Sequence, residues 1–256
     1  MSKLKEKIII KIGTTTLSAK DGINTEIIKK LSSVIAKLRK SGHKVVLVTS
    51  GAVALGFKEL KLTKRPKTIL EKQMAASIGQ VKLMETYERF FSEYKITIAQ
   101  ILLTRDGFEQ KEVYTNARET LNSLLSRGIV PIINENDAVA SEEIRFGDND
   151  MLSALVSDLI SADRLIILTD EEGLYDKNPK ENKNAKLIPV VKKITKQIEK
   201  MTSGKGSEFS MGGMRSKLRA ARLATSCGIR THIIYGKTPG KVLDIINGKN
   251  VGTTFL

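Results

Sequence analysis

A lysine inside an apolar, β-branched run is costly unless its ammonium reaches a partner or ligand, because a buried unpaired charge loses its hydration. Lys11 is such a residue, lying within Ile8–Ile12 just before the turn Gly13-Thr14-Thr15-Thr16. A second lysine, Lys217, follows a glycine pair in Met211-Gly212-Gly213-Met214-Arg215-Ser216-Lys217. Alone it reads as an exposed helix lysine, the common fate of that residue. Behind Gly212 and Gly213 at the start of a helix it points instead to a phosphate. Between the two in the chain lies Phe146-Gly147-Asp148-Asn149-Asp150. Asp148 and Asp150 suit the N-cap of a helix beginning near Met151, yet three consecutive polar side chains after a glycine exceed what one cap requires. An acidic group set between two lysines would hold both ammoniums ready for a transferring phosphoryl group.

These residues need elements that bring them together. Short apolar runs alternate with amphipathic helical stretches along the whole chain. The predicted strands are Ile8–Ile12, Val45–Val48, Ile96–Leu103, Ile129–Ile133, Leu165–Leu168 and Thr231–Tyr235. They are apolar throughout rather than alternating, as expected for strands covered on both faces. Ile27, Ile28, Leu31, Val34, Ile35 and Leu38 share one helical face that Ser41-Gly42 terminates. Similar faces run through Met151, Leu152, Leu155, Val156 and Leu159, and through Met214, Leu218, Ala221 and Ala224. This alternation predicts an α/β fold, a mostly parallel sheet with helices on both sides.

In such a sheet, ligands bind along the edge formed by the carboxyl ends of the strands. Polar clusters follow the strands at that edge: Gly13–Thr16, Thr49-Ser50-Gly51-Ala52, Asn134-Glu135-Asn136-Asp137 and Thr169-Asp170. The first two are small-residue turns whose backbone N–H groups suit phosphate or carboxylate oxygens; each alone serves equally well as an ordinary strand–helix turn. Their convergence on one crevice is the stronger signal.

Composition bounds the alternatives. With 256 residues and 41% hydrophobic content the chain can bury a large core, and disorder as its main character is excluded. The apolar runs are too short for a membrane span, and the charged start Met1–Lys7 does not resemble a secretion signal. One cysteine, Cys227, excludes an internal disulfide framework and fits the cytoplasm; its place late in a helix suggests packing. The formal charge of +15 is spread over every segment, and aromatics are only 5%, which argues against a nucleic-acid surface while favouring anionic substrates. His43 and His232 are the only histidines, so a zinc site or serine–histidine triad has little support. His232 falls in a strand and reads as structural. No Walker-type loop or protein-kinase signature is present. Asp176–Lys186 and Thr202–Gly213 read as loops, and residues 1–256 as a single domain, with a first lobe to about residue 160 and a second from about 161.

In order along the chain, the segments Lys11–Thr14, Val48–Val53, QMAASIGQ at 73–80, Tyr114–Arg118, IINENDAV at 132–139, FGDNDMLSAL at 146–155, LTDEEGLY at 168–175, GGMRSKL at 212–218 and Val251-Gly252-Thr253 resemble the glutamate 5-kinases, a branch of the amino-acid kinase family. The resemblance implies a three-layer α/β/α sandwich of the carbamate kinase-like type. It also implies phosphorylation of the L-glutamate side-chain carboxylate by ATP, the first step of proline synthesis. Carried over by position, Ser50, Asp137 and Asn149 would bind glutamate in the first lobe. Lys11 and Lys217 would stabilise the transferring group, with Asp150 orienting them. Lys11, Gly13, Thr169, Asp170 and Met211, Gly212, Gly213, Met214, Arg215, Ser216 and Lys217 would contact ATP, mostly from the second lobe. Magnesium would enter with the nucleotide. The resemblance further implies a homodimer or tetramer and inhibition by proline. The sequence departs from the family pattern twice. It reads Phe209-Ser210-Met211 where glycine and threonine are usual, and Leu256 closely follows the last kinase motif, so no C-terminal PUA domain is expected. A same-fold kinase for another small carboxylate or phosphate is the neighbouring alternative. A non-catalytic amino-acid or nucleotide sensor is the more distant one, although a sensor has no need of Lys11, Asp150 and Lys217 together.

Overall fold

The computed structural model describes residues 4–19, 22–60, 66, 68–139, 149–201 and 213–256. In chain order its elements are β1 (Lys7–Ile12), α1 (Thr14–Leu17), β2 (Ser18–Ala19), β3 (Gly22–Ile23), α2 (Thr25–Lys40), β4 (Lys44–Val48), α3 (Ala52–Glu59), α4 (Ile69–Ser92) and β5 (Ile98–Leu103). They continue with α5 (Lys111–Ser126), β6 (Val130–Glu135), α6 (Asn149–Leu159), β7 (Arg164–Thr169), β8 (Val190–Val191), α7 (Lys196–Met201), α8 (Met214–Ser226), β9 (Arg230–Tyr235), α9 (Lys241–Ile246) and β10 (Thr253–Phe255). All six strands read from the sequence are present, each within two residues of its expected ends.

Among the described residues one sheet of eight strands runs in the order β5-β6-β4-β1-β7-β9-β10-β8. Within it every ladder is parallel except that of β9 with β10. Because side chains alternate across a strand, neighbouring core residues feed different layers. Ile8, Ile10, Val45 and Leu47 join one buried cluster with α2, α4 and α9. Ile9, Val46, Val48 and Ile167 join another with α5, α6 and α8. Both faces are therefore covered, which explains the unbroken apolar runs.

Local sequence sets the helix ends. The Asn24 side chain accepts from Ile27 N at the start of α2, and Gly42, at φ +87°, turns the chain after it. A capping box of Thr68 and Glu71 starts α4. The crossing of α3 and α4 is unusually close. A Cβ at Gly56 would lie 1.7 Å from Ala75 O, and one at Gly79 would lie 1.8 Å from Ala52 O. Only glycine lets these backbones touch.

His232 is structural, as expected. Arg164 Nη1 lies 2.9 Å from its Nε2 and Thr254 Oγ1 lies 3.0 Å from Nδ1. A guanidinium can only donate, so Nε2 accepts and Nδ1 carries the proton. Burial first, then Arg164 and Arg230, push its pKa down to about 3, so the ring stays neutral. Cys227 corrects an expectation: it is exposed, not packed. The buried face of α8 uses Lys217, Leu218, Ala220, Ala221 and Ala224. The helix stops at Ser226, and Ile229 rather than Cys227 takes the next inward position.

Candidate active site

β1 lies between β4 and β7, and Lys11 is in register with Val48 and Ile167. Its side chain emerges on the same sheet face as Ile9, the face covered by α6 and α8. Gly13 follows at the strand exit, where an added Cβ would press to 3.1 Å from Lys11 Nζ. Gly13 has an ordinary φ of −89°, so the glycine there serves clearance and not a left-handed backbone.

Asp150 sits in the first turn of α6, not before it as the sequence suggested, and is 1% exposed. Lys217, in the first turns of α8, is 4% exposed and Lys11 is 3% exposed. The three side chains meet. Lys11 Nζ lies 2.5 Å from Asp150 Oδ1, and Lys217 Nζ donates to Asp150 Oδ2 at 3.2 Å. Burial pulls Lys217 below the usual lysine range, with Asp150 opposing that shift and Lys11 adding to it. For Asp150, burial works against the charged form, but the two ammoniums prevail and hold the carboxyl below its ordinary value. A buried carboxylate thus clamps two cations at a place where two helix N-termini, those of α6 and α8, come together. Helix N-termini carry partial positive charge and free N–H groups. The arrangement suits a polyanion that gains charge as it reacts.

A second group adjoins the first through α6. Asn149 is 3% exposed, and its Nδ2 donates to Ser50 Oγ at 2.8 Å and to Asn134 Oδ1 at 3.0 Å. Ser50 is held by the turn after β4, where Gly51 takes φ +109°, a conformation that favours glycine. Thr49, just before it, is fixed by a 2.7 Å bond to the fully buried Tyr87 hydroxyl. With both Asn149 hydrogens used, its buried Oδ1 has no protein partner among the described residues. Asp137 Oδ1, two residues beyond β6, is likewise buried and without a hydrogen-bond partner there. Burial, then Glu135, raises the Asp137 carboxyl to about 7. The orphaned Asn149 Oδ1, next in the chain to the clamped Asp150, and the orphaned Asp137 Oδ1 beyond β6 both suit a ligand group that donates hydrogen bonds.

On the other side, Thr169 ends β7 with its Oγ1 donating to Asp170 Oδ1 at 3.1 Å. Asp170 is exposed, lies 3.8 Å from Lys180, and is close enough to act on Lys217. Gly213 caps α8, Met214 packs against the core, Ser216 is half-buried and Arg215 is exposed. Met211, Gly212, Gly147 and Asp148 lie outside the described residues. The structure therefore gathers Lys11, Asp150 and Lys217 in one place and joins Ser50 to Asn149. Asp137 lies two residues beyond β6, and its buried Oδ1 bonds none of them among the described residues.

Sequence reading missed the polar groups behind this site. Asn134 stood out only as part of a strand-end cluster and Gln80 only inside a motif; Gln100 and Tyr87 did not stand out. Gln80 carried a usable signal: a glutamine directly after Gly79, on a helical face otherwise occupied by Ala75, Ala76 and Leu83, is a buried amide in need of partners.

Residues 6–235 match the amino acid kinase family. A glutamate 5-kinase of Clostridium perfringens is 46% identical over 99% of this chain and 96% of its own length. That of Geobacter sulfurreducens is 47% identical over 100% of this chain and 69% of its own length. Among solved structures, an isopentenyl phosphate kinase superposes with a TM-score of 0.66 at 19% identity, covering 98% of this chain and 100% of that one. A carbamate kinase from Giardia lamblia, bound to AMP-PNP, gives a TM-score of 0.67 at 15% identity over 100% of this chain and 99% of that one. These two share the three-layer fold. With the family match running through β1, α6 and α8, the elements that carry the cation clamp, the chain belongs to the amino acid kinase family.

Proposed function

We infer that the chain is a glutamate 5-kinase, which transfers the γ-phosphoryl group of ATP to the side-chain carboxylate of L-glutamate at the start of proline synthesis. The observation that carries the mechanism is the buried Lys11–Asp150–Lys217 cluster directly beside the Ser50–Asn149 pair. In-line transfer leaves little covalent chemistry to the protein, and positioning with charge neutralisation does most of the work. Lys11 and Lys217 supply fixed positive charge to the transferring group, and Asp150 holds both ammoniums in place. The free acceptors Asn149 Oδ1 and Asp137 Oδ1 are matched to the α-ammonium of glutamate, with Ser50 on the same pocket wall. Thr169, Asp170 and the start of α8, including Gly213, serve the nucleotide. On this reading residues up to about 160 carry the amino acid and those from about 161 carry ATP.

A magnesium ion fits as a companion of the nucleotide. Both Asp150 oxygens are taken by ammoniums, and no group of three His, Cys, Asp or Glu side chains suited to a metal occurs among the described residues. Phosphate oxygens and water are its natural ligands, and when bound it would neutralise phosphate charge. The reading places the enzyme in the cytoplasm, where both substrates are supplied; no helix among the described residues is long and apolar enough to cross a membrane. It includes inhibition by proline, tested by titrating proline against activity, and self-association as a dimer or tetramer. For the latter, Leu70, Met74, Ile78 and Val81 form an exposed apolar stripe on successive turns of α4. Light scattering on Ile78→Glu should show a smaller particle than the parent.

The deciding assay traps the acyl phosphate with hydroxylamine. Product is expected with glutamate, ATP and magnesium, and little with N-acetylglutamate, whose amide has no positive charge to offer Asp137 and Asn149. Equal turnover of the acetylated substrate, or none of glutamate, would refute the reading.

A further inference from the structure

Behind Asn149 runs a one-way series of amide hydrogen bonds that reaches the protein surface. Asn149 Nδ2 donates to Asn134 Oδ1 at 3.0 Å, Asn134 Nδ2 to Gln80 Oε1 at 3.0 Å, and Gln80 Nε2 to Gln100 Oε1 at 2.9 Å. The direction is not arbitrary. Glu135 N, a backbone donor that cannot accept, bonds Asn134 Oδ1 at 3.0 Å. That favours the observed end of the Asn134 amide as oxygen, an orientation that also requires an acceptor for its Nδ2. Gln80, 8% exposed on α4, supplies it. The next residue back, Gly79, is pressed against Ala52 O, so α4 delivers Gln80 from a position the α3 crossing allows little room to change.

The consequence reaches the substrate pocket. With Asn134 Oδ1 directed at α6, Asn149 must donate to it, and its second hydrogen goes to Ser50 Oγ. Only its oxygen remains to meet a ligand. If the Asn134 amide rotated, Asn149 could turn over with it and present an N–H to an ammonium. We propose that Gln80 is a positioning residue for amino-acid binding: by accepting from Asn134 it holds the relay in the sense that turns Asn149 Oδ1 toward the substrate's α-ammonium. The inference rests on the glutamate-kinase reading, because it presumes that an ammonium is bound there.

The test compares Gln80→Met, which keeps the volume but removes the acceptor, with Gln80→Glu, which keeps a carbonyl oxygen for Asn134. Gln80→Met is expected to raise KM for glutamate about tenfold, the loss expected for one well-placed hydrogen bond. Its kcat and KM for ATP should stay within about twofold, as for lost ground-state binding. Gln80→Glu should return KM for glutamate to within about threefold of the parent. A glutamate KM unchanged in Gln80→Met, equal rises for both substrates, no rescue by Gln80→Glu, or failure of Gln80→Met to fold would each overturn the proposal in favour of a packing role. If the parent enzyme itself does not phosphorylate glutamate, the functional reading fails before this one is reached.

Discussion

Replacing Asp150 by Asn keeps its shape but removes the charge between two buried ammoniums. Its oxygens lie 2.5 Å from Lys11 Nζ and 3.2 Å from Lys217 Nζ. At an effective dielectric near 20, Coulomb's law gives roughly 5–7 kcal/mol for each contact. Desolvation offsets part of that, and measured losses on breaking buried pairs run at about 3–5 kcal/mol. Such a penalty is comparable with what it costs a lysine to shed its proton near neutrality, so it pulls a lysine down toward that range. Lys217 is the one to yield, since burial and Lys11 already depress it. Losing one preorganised cation costs about 10²–10³-fold in kcat. Asp150→Asn should therefore lose that much at pH 8.5 and regain part of it as pH falls toward 6.5, while the parent shows no basic limb in that range. The measurement is kcat by hydroxamate formation at saturating glutamate and ATP. A variant within fivefold of the parent at pH 8.5, or one whose pH profile overlays the parent's, would refute the counter-ion role.

Other outcomes follow from the same geometry. Burial holds the empty-site Asp137 carboxyl raised to about 7. Its charged form is therefore the disfavoured one in the free enzyme and increasingly absent below that pH. An ammonium needs that charge, so KM for glutamate should rise as pH drops below 7, approaching tenfold per unit, and Asp137→Asn should be weak but flat with pH; a flat parent profile would count against the assignment. The raised value also means that ionising Asp137 opposes folding: the substrate-free parent should lose stability relative to Asp137→Asn as pH rises from about 4 to about 7 and no further beyond that, as thermal melts at about pH 5 and 8 would show. Gly56→Ala places a methyl 1.7 Å from Ala75 O. The helices must part, at a cost of about 1–3 kcal/mol and a melting temperature lower by roughly 2–4 °C per kcal/mol in a domain this size. Because α3 begins directly after Ser50-Gly51, KM for glutamate should rise as well.

What the sequence disclosed depended on whether the physics was local. Lys11 could be read because one charge in a run of isoleucines has few tolerable fates, and Ser50-Gly51 because a small-residue turn after a strand has a recognisable composition. The strands were legible for the same reason: burial on both faces leaves an unbroken apolar stretch. The α3–α4 crossing was not, since Gly56 and Gly79 lie in separate helices and nothing local says that they meet. Cys227 was misjudged because helical periodicity continues on paper past Ser226, whereas the helix itself does not.

The amide relay shows why the rest stayed hidden. Its bonds join positions 15, 20 and 54 residues apart, and they exist only because the sheet places β6 between β5 and β4. Gln100 comes from the edge strand, Asn134 from the next, and Ser50 from the turn after the third. The strands therefore fall in an order that the chain does not follow. Periodicity finds each strand without finding its neighbours, so a side chain whose only task is to orient another one leaves no mark of its own. The residues touching substrate announce themselves through charge. Those that aim them emerge only when the strand order is known, and Gln80 is where that distinction can be measured.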